Sequence, residues 1–183
     1  ILASNSPRRK ELLSGLGICY EVKTLPGIEE SYPDTLSGEE IPVFIACEKA
    51  DAYRQTMHSD ELIITADTIV WLDGLVMGKP EDEEDARRML RCLSGKTHQV
   101  ITGVCLTTTE FQKSFATVTD VTFAELTEEE IDYYVQKYKP MDKAGSYGIQ
   151  EWIGFVGVEG ITGSYFNVMG LPIQRLYKEL KKL

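Results

Sequence analysis

The eleven residues Leu62 to Leu72, LIITADTIVWL, constrain this chain more than any other segment. They are dominated by β-branched and aliphatic side chains and stop at Asp73-Gly74, a dipeptide suited to a tight hairpin turn. A strand of this kind is expected to be buried, yet it carries an aspartate, Asp67, after Leu62-Ile63-Ile64-Thr65-Ala66. A carboxylate emerging from a buried strand has little freedom. It is well placed to hold a metal or to activate water. It is equally suited to capping nearby backbone, so the strand alone leaves both roles open.

Helical and extended segments alternate around this strand. Ile1-Leu2-Ala3 reads as a short strand, and Ser6-Pro7 as a helix start with serine at the N-cap and proline at the first helical position. That helix carries Leu12, Leu13 and Leu16 and should stop near Gly15 to Gly17. Alternation of Ile18, Tyr20 and Val22 predicts a strand over 18–24, followed by a Pro/Gly loop reaching Glu29 and Glu30. A helix is expected from about Glu40 to Arg54, with Ile41, Phe44 and Ile45 on one face. Another spans about 82–93, acidic at its start and carrying Arg87, Arg88 and Arg91 further on, an order that suits the helix dipole. Strands follow at about 98–109 and 114–124. Thr127-Glu-Glu-Glu130 opens a helix with a capping box, leading into Ile131, Tyr134 and Val135. A loop over 139–150, a short strand over 152–158 and a terminal helix from about Leu171 complete a mixed α/β pattern.

With 183 residues and 43% hydrophobic content, the chain can bury a sizeable core as one domain or two lobes, and it is neither disordered nor membrane-like in composition. No apolar run is long enough to span a bilayer, and nothing at the start resembles a signal peptide. Ile1 is not an initiator methionine, so a short native segment is expected to precede it. Cys19, Cys47, Cys92 and Cys105 are dispersed without a CxxC pair, and His58 and His98 are the sole histidines. That pattern fits reduced thiols in an intracellular protein and disfavours zinc. A net charge of -10 argues against general nucleic-acid binding. A phosphate site would therefore have to show itself as a local basic cluster.

One such cluster exists. Ser4-Asn5-Ser6-Pro7-Arg8-Arg9-Lys10 sets three cations in the first turn of a helix, where free N–H groups already make the potential positive. A bound polyanion would resolve that conflict by accepting from the N–H groups, the Ser6 hydroxyl and the guanidinium forks. A solvated basic turn is the plainer reading of such a tetrapeptide, and it weakens here because the segment follows a strand directly. Glu30, beside Glu29, can supply a second carboxylate for a hard cation that shares its ligands with phosphate, although a solvated acidic loop explains the pair alone. Lys49 follows Ile45 by one turn and could merely snorkel. Lys79, in Met77-Gly78-Lys79-Pro80, could be a plain turn lysine. The glycine-dense stretches 143–150 and 163–172 let backbone approach a ligand closely, and Gln150 can read a base edge through paired donor and acceptor. The bland alternative makes Tyr147 and Phe166 core residues and the glycines turns.

Taken in order, ASNSPRRKELL, GIEE, EKA (Glu48 to Ala50), TADTIV, GKP, LSGKTHQVITGV, DKAGSYGIQ and GSYFNVMGLP resemble the Maf family over essentially the whole chain. Single motifs of this set are weak, but eight in sequence are specific. The resemblance implies an α/β fold similar to the inosine triphosphatases, a mixed sheet with flanking helices and two lobes around a deep cleft in a single domain spanning 1–183. It implies a cytoplasmic nucleoside triphosphate pyrophosphatase that uses a divalent cation, Mg²⁺ or Mn²⁺, and family habit suggests a homodimer. Arg8, Thr68 and Gln150 stand where the branch acting on dTTP and UTP carries its marker residues. Rivals are the branch preferring 7-methyl-GTP and a non-catalytic nucleotide-binding regulator of septum formation.

The resemblance further implies roles for the residues singled out above. Asp67 would be the general base that activates water for attack on the α-phosphorus, and Glu30 and Asp67 would hold the metal. Ser6, Arg8, Arg9, Lys49 and Lys79 would bind the triphosphate, Thr68 would shape the pocket, and Gln150 would pair with the pyrimidine. The biological role so implied is house-cleaning of nucleotide pools, with no nucleic-acid or membrane partner.

Overall fold

Local sequence rules set most of the element boundaries in the computed structural model, which describes residues 1–183. Helix α1 (Pro7–Ser14) begins where Ser6 Oγ accepts the Arg9 N–H and Pro7 stands at the first helical position. Helix α2 runs over Glu40–Arg54 and buries Ile41 and Ile45, as their spacing predicts. Strand β1 (Ile63–Leu72) turns into β2 (Leu75–Met77) through Asp73 and Gly74, both at positive φ (50° and 82°), the backbone of a twist-matched hairpin turn. Helix α3 (Glu83–Leu93) is capped by Asp82, whose carboxylate accepts the Asp85 N–H at 2.7 Å. Strands β3 (Thr97–Thr107) and β4 (Gln112–Phe123) follow, then α4 (Glu128–Tyr138) with the complete Thr127/Glu130 capping box.

The strand order is β2-β1-β3-β4-β5, with β5 at Val158–Thr162. The β1–β2 and β4–β5 pairings are antiparallel, the latter with an irregularity between Thr122 and Phe123. Leu2 adds isolated parallel bridges to Val22 and Ile64, so parallel and antiparallel pairing coexist in a mixed α/β fold.

Two expectations are corrected. Residues 18–24 do not form a strand: only Val22 bridges Leu2, and Ile18 and Val22 stay exposed. Tyr20 explains why, since its hydroxyl is tied to Lys10 O and Ser14 Oγ at 2.8 Å each and its ring packs on the core rather than along a ladder. Residues 152–157 form helix α5 (Trp152–Gly157), not a strand, and β5 begins only at Val158. A short apolar run does not distinguish the two by pattern. The helix wins because Ile153 and Gly157, one turn apart, are the buried pair while Phe155 points outward.

The chain divides into two compact units. The first comprises Ile1–Thr68, Ile101–Thr117 and Gly170–Leu183. Its core joins Leu2, Leu13, Ile64, Val104, Phe115 and Leu176, drawn from α1, β1, β3, β4 and the terminal helix α7 (Ile173–Leu180, with α6 at Tyr165–Met169 before it). Helix α2 lies close on the strands because small groups meet there. Ala46 and Ala50 pack on Cys105, Thr65 Oγ1 donates to Ala46 O at 2.7 Å, and Gly103 leaves room for the backbone of Pro42. The same unit buries Glu179, which accepts from Arg175 at 2.9 Å, from Lys182 at 3.0 Å and from Lys113.

Those cations, Lys113 foremost, hold the Glu179 carboxyl down at about 2. A depressed folded-state value means that this stability is present above the ordinary carboxylate range and is lost as pH falls toward about 2. Glu179→Gln is therefore expected to lower Tm at neutral pH and to flatten the acid limb of a Tm-against-pH curve. Parallel acid limbs in the two proteins would contradict it.

The second unit comprises Ile69–Val100 and Val118–Met169. Two arginines on α3 pair with α4, Arg87 with Asp132 at 2.7 Å and Arg91 with Glu128 at 3.0 Å, while Arg88 pairs with Asp85 of its own helix. His98, Phe123 and Tyr147 form a buried edge-to-face trio in which His98 Nε2 lies 2.6 Å from the Tyr147 hydroxyl. Burial lowers the His98 pKa to about 4, so the ring is neutral near pH 7. Tyr147 is thus core, whereas Phe166 is exposed. No helix is long and apolar enough to cross a membrane.

Candidate active site

Within the first unit, Asp67 sits inside β1 and is 8% exposed. Of two cations from different elements, Lys49 touches it directly and Arg9 grips the residues beside it. Lys49, on the third turn of α2, brings Nζ to 3.0 Å from Asp67 Oδ1, to 2.8 Å from Glu30 Oε1 and to 3.5 Å from Ala66 O. Arg9, on α1, donates from Nε to Gly170 O at 2.8 Å, from Nη1 to Ala66 O at 3.0 Å and from Nη2 to Thr68 Oγ1 at 3.1 Å. The residues on both sides of Asp67 are therefore clamped by one planar guanidinium.

Each partner has a structural reason to be there. Helix α2 is fixed by the Thr65 and Gly103 contacts described above, so the Lys49 backbone cannot drift. The loop leading to Glu30 is stapled to the same helix: Tyr53 OH accepts the Leu25 N–H at 2.8 Å and donates to Lys23 O at 3.2 Å, and Ile28 packs on the Tyr53 cluster. Thr68 Oγ1 lies 2.9 Å from Thr102 Oγ1 of β3, and Gly170 brings its carbonyl up to Arg9 at a φ of 118°.

Burial pushes the Asp67 carboxyl above its ordinary value, and the positive charges of Lys49 and Arg9 oppose that shift. Burial likewise works against the charge of Arg9, with Asp67 as its main support. The result is a carboxylate of raised basicity in a site that keeps its counter-charges close.

The structure brings Arg9, Glu30, Lys49, Asp67 and Thr68 together through these bonds, with Ser6 joined to Arg9 only as the cap of α1. Arg8, next to Arg9, is half-buried on α1. The expected picture of Arg9 as a freely grasping phosphate ligand is modified, because three of its N–H groups already serve protein acceptors. Lys49 does not snorkel; its ammonium is turned onto two carboxylates.

Lys79 and Gln150 belong to the second unit. Lys79 is exposed in the turn between β2 and α3, and the Gly145 N–H donates to Gly78 O at 3.1 Å, which ties that turn to the segment ending in Gln150. Tyr134 OH accepts the Gly148 N–H at 2.9 Å and lies 3.1 Å from Glu151 Oε1, organising the same segment. Gly145 has to be glycine: its φ is 68°, and a Cβ would come within 2.7 Å of Val70. The Gln150 Oε1 is buried without a hydrogen-bond partner in the protein. Buried orphan acceptors are costly and rare, so this one suits a ligand donor.

Residues that pattern reasoning did not select include Tyr53 and Thr102, the latter an ordinary strand threonine without a local signal. Gly170, in the glycine-dense stretch 163–172, brings its backbone carbonyl to Arg9.

The donor set also fits a divalent cation of limited kind. Glu30 and Asp67 direct carboxylate oxygens to one point, the Lys49 ammonium, and no group of three or more His, Cys, Asp or Glu side chains forms a cage. Two hard oxygen donors and no cage suit a cation that completes its shell with water and phosphate, as Mg²⁺ does.

Fold and site together define an α/β protein with a buried acid held beside an ammonium and a guanidinium. The chain belongs to the Maf family, whose profile, described as Maf-like protein, matches residues 1–183. A dTTP/UTP pyrophosphatase of Phocaeicola vulgatus is 82% identical over 100% of this chain and 95% of its own length. A dTTP/UTP pyrophosphatase of Bacteroides fragilis is 72% identical with the same coverage, and one of Flavobacterium psychrophilum is 49% identical over 97% of this chain and 90% of its own.

Proposed function

We propose that this chain is a nucleoside triphosphate pyrophosphatase that hydrolyses dTTP and UTP to the monophosphate and pyrophosphate. The observation that carries the reading is the buried Asp67 carboxylate, raised in basicity and framed by Lys49 and Arg9. Relatives named for this activity at 82% and 72% identity supply the substrate class.

In this mechanism Asp67 orients a water, accepts its proton and leaves the oxygen to attack the α-phosphorus, while the bond to the bridging oxygen breaks and pyrophosphate departs. A divalent cation held by Glu30 and Asp67 would draw charge from the phosphate oxygens and make the water more acidic. Arg9 keeps the Asp67 backbone in place and contributes a fixed positive charge. Arg8, Lys49 and Lys79 neutralise the phosphates and the Ser6 hydroxyl donates to them, where electrostatic stabilisation matters most in phosphoryl transfer.

Gln150 reads the base. Uracil and thymine present an N–H at position 3, which the unpaired Oε1 can accept, whereas cytosine presents an acceptor there. Thr68 shapes the pocket. The cytoplasm, where such nucleotides are made and used, is the compartment that suits this activity, and removal of unwanted pyrimidine triphosphates is its role.

A hydrolysis assay over UTP, dTTP, CTP and 7-methyl-GTP, identifying both products, tests the assignment. UTP and dTTP should be cleaved in preference, with pyrophosphate released and activity lost on chelation. Orthophosphate as the product, or no turnover, would overturn it. In the same panel Gln150→Ala is expected to reduce the preference for UTP over CTP by about tenfold, the effect of one lost hydrogen bond. An unchanged ratio would remove Gln150 from base recognition.

A further inference from the structure

Lys49 carries two assignments that cannot hold at once. Its ammonium is engaged by Glu30 Oε1, Asp67 Oδ1 and Ala66 O, at 2.8, 3.0 and 3.5 Å. These contacts use the full set of donors of an ammonium. In this state Lys49 offers nothing to a phosphate, and the two carboxylates already have a cation. Lys49 serves a phosphate only by leaving Glu30 and Asp67, and those carboxylates serve a metal only once it has left.

We infer that Lys49 is an internal counter-ion that keeps Glu30 and Asp67 closed to a free divalent cation and releases them when a triphosphate arrives to receive the ammonium. The inference rests on the reading of Glu30 and Asp67 as the metal-binding carboxylates.

Three observations support the exchange. Lys49 and Arg9 offset Glu30 and Asp67 charge for charge, so a bare dication would add uncompensated positive charge beside a carboxylate that is 8% exposed. A triphosphate brings more negative charge than the dication brings positive, which removes the excess. Second, of the two cations only Lys49 is free to swing. Arg9 is locked by Gly170 O, Ala66 O and Thr68 Oγ1, whereas Lys49 sits on a flexible stem above a helix anchored by Thr65. Third, the ammonium has a way out toward solvent, because Glu30 is an exposed partner and the Lys49 side chain retains 14% exposure.

The consequence is coupling: metal and nucleotide each raise the affinity for the other, and Lys49 sets the size of that effect. By linkage the coupling is the same in either order of addition.

Mn²⁺ binding to chelator-treated protein, followed by calorimetry and by the loss of free-Mn²⁺ electron paramagnetic resonance signal, tests this without turnover. The wild type should bind Mn²⁺ weakly, Lys49→Met about tenfold more tightly or better, and Lys49→Arg as weakly as the wild type. A non-hydrolysable α,β-imido UTP should tighten Mn²⁺ binding about tenfold or more in the wild type and distinctly less in Lys49→Met. Thermal unfolding confirms that the variants are folded. Equal or weaker Mn²⁺ affinity in folded Lys49→Met, with Asp67→Asn weakened, overturns the exchange alone. Asp67→Asn binding Mn²⁺ as the wild type does overturns the carboxylate reading and the exchange with it. Should Lys49→Met not fold, absence of coupling between the UTP analogue and Mn²⁺ in the wild type overturns the proposal by itself.

Discussion

Asp67→Asn is expected to lower kcat on UTP by about 10³-fold or more while leaving the protein folded. The amide keeps the shape of the carboxylate but cannot take a proton from water, so the loss should appear in kcat and far less in KM. Stability should move the other way from activity. The Asp67 pKa is raised in the folded state, chiefly by burial, so the native protein holds that proton more tightly than the unfolded chain. The charge of Asp67 therefore costs stability as pH rises from the ordinary carboxylate range through the raised value. Asparagine is neutral throughout, and the variant's Tm at neutral pH should not fall below that of the wild type. Steady-state kinetics and thermal unfolding of one preparation check both halves; a variant that turns over normally would remove Asp67 as the base.

Gly103→Ala is expected to be the most damaging small substitution in the first unit, at about 3 kcal/mol. A Cβ on Gly103 would lie 2.3 Å from Pro42 C, 2.4 Å from Pro42 O and 2.4 Å from Val43 N. These are backbone atoms at the start of α2, so no rotamer change relieves the clash and the helix must shift. For a chain of this size that corresponds to a fall in Tm of about 6–12 °C. Because Lys49 rides on α2 and meets Asp67 at 3.0 Å, activity should drop by more than the unfolded fraction explains. Thermal unfolding alongside kcat measured well below Tm separates the two effects. A Tm within about a degree of the wild type would show that α2 yields easily, against the close packing described here.

Boundaries that depend on neighbours in the chain were legible from residues alone. Ser6 and Pro7 start α1, Asp73-Gly74 turns β1 into β2, and Thr127 with Glu130 starts α4, since each rule involves groups within one turn. The segments 18–24 and 152–157 were misread because their apolar spacing suits more than one state, and the choice fell to partners outside each segment. Tyr20 bonds to α1, and Gly154 lies so near Ile149 O that a Cβ would come within 1.7 Å of it.

Of the candidate site, the chemical identities were readable: an acid inside a β-prone run, cations at the head of a helix, a glutamate pair in a loop. Their engagements were not. That Arg9 clamps Ala66 and Thr68, that Lys49 faces Glu30 as well as Asp67, and that Gln150 leaves an acceptor buried and unpaired all depend on tertiary packing rather than on neighbours in the chain.

The sequence by itself determined where helices and turns begin, which side chains can carry charge, and the family to which the chain belongs, because these follow from short-range sterics and residue order. Tertiary structure alone decided the state of those charges. A carboxylate or an ammonium takes its basicity and its partners from burial and from what other elements bring within hydrogen-bond reach, and chain spacing does not encode that distance.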